Sequence, residues 1–315
     1  MIEKREWRFG CRILAKDICN IKLHIRSGNR ISRKDASQVR RNKKIFSLLR
    51  KLESKGRAAM KLTGQVAVVT GAGRNIGKAI AKRFATEGAK IAVIEMHEAR
   101  GKAVVSEIVQ SGGEAMLVLS DVAKASDVEE MVGKVVARFG GIDILVNNAA
   151  LTDRADILAS TEEEFDKIIA VSLKGPYLVT RAVARQMVAQ GRGGKIVNFG
   201  STSGLLGRTD GIAYAAAKGG VINLTRAMAV QLSPYRIRVN CVVPNRSGSP
   251  VGMDDDVTGN RTFENLAGRL GTAEDQAKAA LFLVSDDSDF IYGHPLIVDG
   301  GVMATANFPK EQFNK

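Results

Sequence analysis

Cysteine and histidine are scarce in this sequence. The chain has three of each among 315 residues, and neither set is clustered. A disulfide framework and a zinc site both need several such residues at short spacings. We therefore expect a reducing, cytoplasmic setting and a mechanism that uses no metal ion.

Long apolar runs are also missing. No stretch of about eighteen apolar residues occurs, so the sequence predicts no membrane span. Hydrophobic residues make up 45% of the chain and charged residues 25%, which is ordinary for a protein with a full hydrophobic core. A globular protein is the expectation.

The net charge of +14 belongs to one end of the chain. Of the 47 basic and 33 acidic residues, 18 and 5 lie in residues 1–60, which leaves 29 and 28 in residues 61–315. The main part of the protein is therefore almost neutral. The high net charge is no indication that this part binds nucleic acid.

Residues 1–60 show no sustained periodicity, and we interpret them as a basic N-terminal extension. They are either a disordered tail or the product of a misplaced start codon, with Met60 as the true first residue. Acidic residues at positions 3, 6 and 17 argue against an organelle-targeting peptide. Binding to nucleic acid is supported by charge alone and is the minor hypothesis.

After residue 60, apolar strands alternate with helical patterns. Strands are predicted at Gln65–Thr70, Ile91–Glu95, Ala115–Leu119, Ile142–Asn147, Lys195–Phe199, Arg238–Val243 and Leu296–Val298. Helical stretches include Val128–Phe139, Glu162–Met187, Tyr214–Gln231 and Ala273–Leu283. Wholly apolar strands separated by helices predict a parallel sheet. Residues 61–315 should form a single α/β domain, a Rossmann-type doubly wound sheet of about seven strands with helices on both faces.

The first strand leads into a turn that contains glycine and then into a helix. Small residues let the backbone approach a pyrophosphate, and a helix N-terminus offers it free amides. The carboxylate of Glu95, which ends the next strand, can accept hydrogen bonds from ribose hydroxyls and repel a 2′-phosphate. Glu95 thus favours NAD. The guanidinium of Arg74 in the turn could instead meet a 2′-phosphate and favour NADP, or it could simply be exposed to solvent. We prefer NAD. The candidate cofactor-binding residues of the turn are Gly71, Arg74, Asn75, Ile76 and Gly77.

Five motifs occur in order along residues 62–303. They are Thr70–Gly77, Asn147-Asn148-Ala149-Ala150, Ser201, Tyr214-x-x-x-Lys218 and Asp299-Gly300-Gly301. Each is weak alone, but their order and spacing together are specific. In these motifs the sequence resembles the classical short-chain dehydrogenase/reductase family.

The resemblance implies further contacts with a nicotinamide cofactor. One pair of residues would flank the adenine, a second pair would lie along the cofactor, and the backbone after Pro244 would hold the nicotinamide amide. The residues concerned are Asp121, Val122, Asn148, Ala149 and Ser247. The family also commonly forms dimers and tetramers, so a homo-oligomer is expected.

The catalytic candidates are Ser201, Tyr214 and Lys218. Tyr214 and Lys218 lie four residues apart in a helical stretch and so share one face, with Ser201 thirteen residues upstream of the tyrosine. Reduction of a carbonyl needs a proton donor at its oxygen, and oxidation of an alcohol needs a base there. An ammonium about 5 Å away stabilises a phenolate by about 3 kcal/mol at an effective dielectric constant near 20.

We therefore predict an NAD(P)-dependent oxidoreductase that acts on a CH–OH group of a small alcohol or on the matching ketone. Tyr214 would be the general acid/base, and Ser201 would donate a hydrogen bond to the substrate oxygen. Lys218 would supply the positive charge and bind the nicotinamide ribose, which places it and Tyr214 among the cofactor contacts as well. Residues 244–269 should contain the loop that closes over the substrate.

Four residues depart from the family's pattern. Asn75 replaces a glycine and is tolerable in a left-handed conformation, and Ala150 is a small change. Asn245 replaces a glycine after Pro244, and Ser172 stands where the family has an asparagine that holds a water of the proton relay. These last two leave open a second interpretation, a catalytically impaired, cofactor-binding regulator or scaffold of the same fold.

Overall fold

The computed structural model describes residues 60–245, 251 and 265–304. In this part of the chain seven strands form one parallel sheet in the order β3-β2-β1-β4-β5-β6-β7. They are β1 (Val66–Thr70), β2 (Lys90–Glu95), β3 (Glu114–Leu119), β4 (Ile144–Asn147), β5 (Gly194–Phe199), β6 (Ile237–Pro244) and β7 (Pro295–Val298). The chain builds outward from β1 on one side and then from β4 on the other, so the predicted doubly wound sheet is confirmed.

Seven α-helices lie among the described residues. They are α1 (Asn75–Thr86), α2 (Glu98–Gln110), α3 (Ala125–Phe139), α4 (Glu162–Ile169), α5 (Gly175–Gln190), α6 (Ile212–Leu232) and α7 (Ala273–Val284). None of these helices is long and apolar enough to cross a membrane. The predicted N-terminal extension falls, apart from Met60, outside the described residues and stays a prediction.

The central strand shows why both faces of the sheet are covered. Alternate side chains of a strand point to opposite faces, and in β1 every residue is buried. Ala67 and Val69 pack with α1, α2 and α7 on one face. Val66 and Val68 pack with α3, α5 and α6 on the other. A strand that is buried at every position therefore marks the middle layer of a three-layer domain.

The stretch Glu162–Met187, expected as one helix, is interrupted in the structure. A π-helical turn, Ala170–Lys174, separates α4 from α5. Pro176 stands at the start of α5. Proline has no backbone N–H to donate, and its ring crowds the preceding turn, so regular α-helical hydrogen bonding cannot run through this point. The apolar periodicity continues across the interruption, which is why the pattern predicted a single helix.

Candidate active site

A cleft of about 960 Å³ lies at the carboxyl edge of the sheet. Residues that follow every strand from β1 to β7 line it, together with the start of α6. Strand order reverses between β1 and β4, and a doubly wound fold opens a crevice for ligands at such a point. Most of the residues singled out in the sequence line this one cleft: Gly71, Arg74, Asn75, Ile76, Glu95, Val122, Asn148, Ala149, Ser201, Tyr214 and Lys218.

The turn after β1 is shaped by the absence of side chains. Gly71 has a φ of +60°. A Cβ on Gly77 would collide with the carbonyl oxygen of Gly71 and would lie 2.6 Å from Nδ2 of Asn148. Gly77 therefore lies beneath the turn and does not line the cleft. Asn75 has a φ of +49°, the left-handed conformation that makes asparagine an acceptable replacement for glycine.

The amide of Asn148 fixes the turn to the end of β4. Its Nδ2 donates to the carbonyl oxygens of Thr70 and Gly71, at 3.0 and 3.1 Å. The backbone N–H groups of Asn148 and Ala149 both donate to the Thr70 hydroxyl oxygen. The strand end and the turn thus form one rigid floor for the cleft.

Glu95 is held by three backbone N–H groups. One carboxylate oxygen accepts from Gly73 at 2.9 Å, and the other accepts from Met96 at 3.0 Å and His97 at 3.2 Å. A Cβ on Gly73 would lie 2.5 Å from the same carboxylate. Arg74, the residue before α1, lines the cleft at this end too. The acidic group therefore organises the glycine turn as well as facing the cleft.

The remaining predicted cofactor contacts are placed differently. Val122 is buried and lines the cleft. Asp121 does not line it. Its carboxylate accepts a hydrogen bond from the backbone N–H of Ala123 within its own loop, at 3.0 Å. Ser247 lies outside the described residues.

The catalytic candidates come together at the other end of the cleft. Ser201, Tyr214 and Lys218 all line it, and each is at most 8% exposed. The ammonium of Lys218 lies 5.6 Å from the centre of the Tyr214 ring and donates to the carbonyl oxygen of Phe199 at 2.6 Å. The Ser201 side chain acts on the phenol as a hydrogen-bond partner that lowers its pKa. The three catalytic candidates chosen from the sequence therefore lie at the same end of one cleft.

Residues 71–303 match the family model described as enoyl-(acyl carrier protein) reductase. The chain belongs to the short-chain dehydrogenase/reductase family. It is similar to a sorbitol dehydrogenase from Cereibacter sphaeroides, with 36% identity over 258 residues that cover 77% of this chain and 98% of that protein. A galactitol 2-dehydrogenase from Agrobacterium fabrum is 37% identical over 258 residues, with 77% and 98% covered.

Solved structures agree with this assignment. A gluconate 5-dehydrogenase from Burkholderia cenocepacia, crystallised with NADP and tartrate, superposes with a TM-score of 0.73 and is 33% identical. The match covers 79% of this chain and 98% of that one. The fold that positions the site is therefore shared with this solved structure, and the chain is an oxidoreductase of the short-chain dehydrogenase/reductase family.

Burial sets the proton affinities of the two titrating groups. It raises the pKa of the Tyr214 phenol above its ordinary value, while the hydrogen bond from Ser201 and the charge of Arg208 act in the opposite direction. Burial lowers the pKa of Lys218 to about 8, and the thiol of Cys241 opposes this. This desolvation disfavours charge on both groups and opposes the attraction between ammonium and phenolate that was expected from the sequence.

Two site residues were missed from the sequence. The buried carboxylate of Asp153 accepts hydrogen bonds from the backbone N–H groups of Ala213 at 2.9 Å and Tyr214 at 3.1 Å. It thereby caps the helix that carries the catalytic pair, from a loop some sixty residues away. Arg208 lies close to the Tyr214 ring. No sequence pattern marks either residue, because each acts through the fold.

The departures from the family pattern have structural roles. Ser172 is fully buried in the π-helical turn and does not line the cleft. Its hydroxyl donates to the carbonyl oxygen of Leu151 and accepts from the N–H of the same residue, both at 3.0 Å. Ser172 therefore ties this turn to the loop after β4. Asn245 does line the cleft.

Proposed function

We propose that this protein is an NAD(P)-dependent oxidoreductase that transfers a hydride between nicotinamide and a carbonyl or secondary-alcohol carbon. The observation that carries the proposal is the meeting of Ser201, Tyr214 and Lys218 in the same cleft as the glycine turn. Their positions at the carboxyl edge of a doubly wound sheet agree with where this fold binds its ligands.

The residues present fit a nicotinamide dinucleotide. Side chains are excluded at Gly71, where the backbone is left-handed, and at Gly73, where a Cβ would meet Glu95. The turn and the start of α1 would hold the pyrophosphate, Val122 the adenine and Lys218 the nicotinamide ribose. When bound, the nicotinamide supplies or accepts the hydride.

Tyr214 would then give a proton to the carbonyl oxygen in reduction and remove the hydroxyl proton in oxidation. Ser201, next to the phenol, would turn its single hydroxyl proton to the same substrate oxygen as charge develops there. Because the pKa of Lys218 is about 8, its ammonium is mostly charged near neutral pH and offsets part of the penalty of a buried phenolate.

We propose NAD as the preferred cofactor. The carboxylate of Glu95 faces the cleft at the end of β2, where it would accept from ribose hydroxyls and repel a 2′-phosphate. Arg74 at the same end, and the NADP bound by the gluconate 5-dehydrogenase relative, support NADP as the alternative. The proposed preference for NAD therefore rests on the carboxylate of Glu95.

We also propose a homodimer or homotetramer in the cytoplasm. β7 is the last strand of the sheet, and Phe290, just before it, is 96% exposed. An edge strand next to an exposed aromatic side chain is a surface that commonly pairs with a second copy. The named relatives are dehydrogenases of sorbitol, galactitol and gluconate, which supports a small alcohol or ketone as substrate.

The proposal is tested by Tyr214→Phe. Loss of the hydroxyl removes the acid/base, so turnover should fall at least about 1,000-fold, while the dissociation constant for NAD should change by less than about threefold. Turnover is measured by cofactor absorbance with a panel of alcohols and ketones, and binding by calorimetry.

A suitable control is Tyr235→Phe, because Tyr235 is 50% exposed and lies in the turn after α6. It should behave as the unaltered protein does. Full turnover in Tyr214→Phe would refute the assignment of the acid/base. An unaltered protein that binds NAD but turns over nothing in the panel would favour the regulator or scaffold.

A further inference from the structure

The Tyr214 ring has a second cation beside it. The guanidinium carbon of Arg208 lies 5.5 Å from the ring centre, as close as the ammonium of Lys218 at 5.6 Å. Arg208 comes from the loop before α6, lines the same cleft, and its side chain is only 25% exposed. A cation this near an aromatic face is attracted to it, more strongly where water is partly excluded.

Arg208 is held in place by its surroundings. Its Nη2 donates to a carboxylate oxygen of Asp210 at 2.9 Å, and its Nη1 donates to the hydroxyl of Ser203 at 3.4 Å. A Cβ on Gly211 would lie 3.3 Å from the guanidinium carbon, so the group packs against the backbone at the start of α6. The loop is therefore built to keep this charge above the catalytic helix.

The same loop is connected to Ser201. The backbone N–H of Ser203 donates to the Ser201 hydroxyl oxygen at 3.2 Å, while the side chain of Ser203 accepts from Arg208. Arg208 thus adjoins Tyr214 directly and is linked to Ser201 through Ser203. Because its charge is already paired with Asp210, it is poorly suited to be a receptor for an anionic substrate.

Among the described residues, two other charged groups near the phenol have hydrogen-bond partners of their own. The ammonium of Lys218, on the same helix, donates to the carbonyl oxygen of Phe199. The carboxylate of Asp153 binds backbone N–H groups of α6. From α4, the apolar Ile168 packs against Tyr214, and the charged residues of that helix are mostly on its exposed side. Arg154 and Asp299 line the cleft as well.

We propose that Arg208 is a positioning residue for the acid/base step, held over the Tyr214 ring by Asp210 so that the phenol ionises closer to neutral pH. The inference rests on the proposed role of Tyr214. Burial raises the pKa of Tyr214, and the hydrogen bond from Ser201 and the charge of Arg208 lower it. A positive charge beside the ring favours the phenolate.

The test is an absorbance titration of phenolate in the full chain, with the Tyr214→Phe spectrum subtracted to isolate this phenol. In Arg208→Gln the apparent pKa should rise by about 0.6 to 1.7 units, the range expected for a charge about 7 Å away at effective dielectric constants from 20 to 60. In Asp210→Asn, which removes the counter-ion, it should fall. Arg208→Lys should largely restore the original value.

The opposite signs separate an electrostatic role from a structural one. A loop that was merely disturbed would move the titration of Arg208→Gln and Asp210→Asn in the same direction, and this result would overturn the inference. An unchanged titration in Arg208→Gln would overturn it too. If Tyr214→Phe loses turnover but Arg208→Gln leaves the titration of the phenol unchanged, only this inference fails. If Tyr214→Phe keeps full turnover, the proposed function and this inference both fail.

Discussion

The two ends of the cleft are formed by different parts of the chain, backbone groups at one end and side chains at the other. At the cofactor end the shape comes from backbone groups and from positions without side chains, with Glu95 satisfied by three N–H groups. At the catalytic end it comes from side chains that are almost completely buried. Substitutions of the glycines at the first end should therefore act through steric clashes, whereas substitutions at the second end should act mainly through charge.

The difference extends to stability. Hydrogen bonds at the cofactor end satisfy every carboxylate oxygen of Glu95, so that end supports the fold. The catalytic end holds an ammonium and a phenol whose burial disfavours their charged forms. Buried ionisable groups that lower the stability of the fold are typical of functional sites, where their shifted pKa values serve the reaction.

The largest effect that would sharpen this contrast is expected from Lys218→Met. Methionine fills a similar volume without charge, so turnover should fall about 100-fold or more while the fold gains stability. A pKa near 8 instead of 10.5 means that burying the ammonium costs about 3 kcal/mol. After loss of the hydrogen bond to Phe199, the variant should be about 2 kcal/mol more stable at pH 7, measured by denaturant unfolding.

The sign of the pH dependence provides the check. Below pH 8 the ammonium is charged in both folded and unfolded chains, so its burial penalty is fully present. The penalty disappears as the pH rises from about 8 to 10.5, because the folded chain loses this proton first. The advantage of Lys218→Met should shrink over that range. A variant less stable than the original at pH 7 would show that the catalytic end stores no such penalty.

A smaller effect, and a steric one, is expected at the cofactor end from Gly77→Ala. The added Cβ would meet the Gly71 carbonyl and Asn148, neither of which can move without deforming the turn. We expect the dissociation constant for NAD to rise about 10- to 100-fold, equal to about 1.4 to 2.7 kcal/mol, with little change in the ionisation of Tyr214.

The matched control is Gly133→Ala in α3. Nothing lies within 4 Å of a Cβ at Gly133, so alanine there should leave binding unchanged and stabilise the helix by up to about 1 kcal/mol. Equal binding of NAD by Gly77→Ala and Gly133→Ala would mean that the turn is not the pyrophosphate site.

The sequence predicted those parts of the molecule that local patterns encode. All seven strands were placed to within about two residues, since each is rich in apolar, mostly β-branched residues and is flanked by turns. The spacing of Tyr214 and Lys218 placed both on one helix face, and the turn after β1 placed a second cluster at the same edge of the sheet. Periodicity and the topology of parallel sheets suffice for this.

What could not be predicted depends on contacts across the chain or on burial. Asp153 caps α6 from another loop, and Arg208 reaches the ring of Tyr214 only after the loop before α6 has folded. The π-helical turn interrupts a pattern that reads as continuous. The shift in the pKa of Lys218 requires knowing that its ammonium is almost fully buried, which a sequence does not state.

The smallest effect, on preference between cofactors, is expected from Glu95. Glu95→Gln removes the negative charge and keeps only one of the two oxygens that accept from the backbone N–H groups. The ratio of kcat/KM with NADP to that with NAD should rise about tenfold, with a partial loss of the hydrogen bonds that hold the turn. Glu95→Ala should shift the ratio in the same direction and also lower the thermal stability, because three N–H groups lose their partner. An unchanged ratio in both variants would mean that Arg74 or another group sets the preference and that Glu95 serves only the fold of the turn.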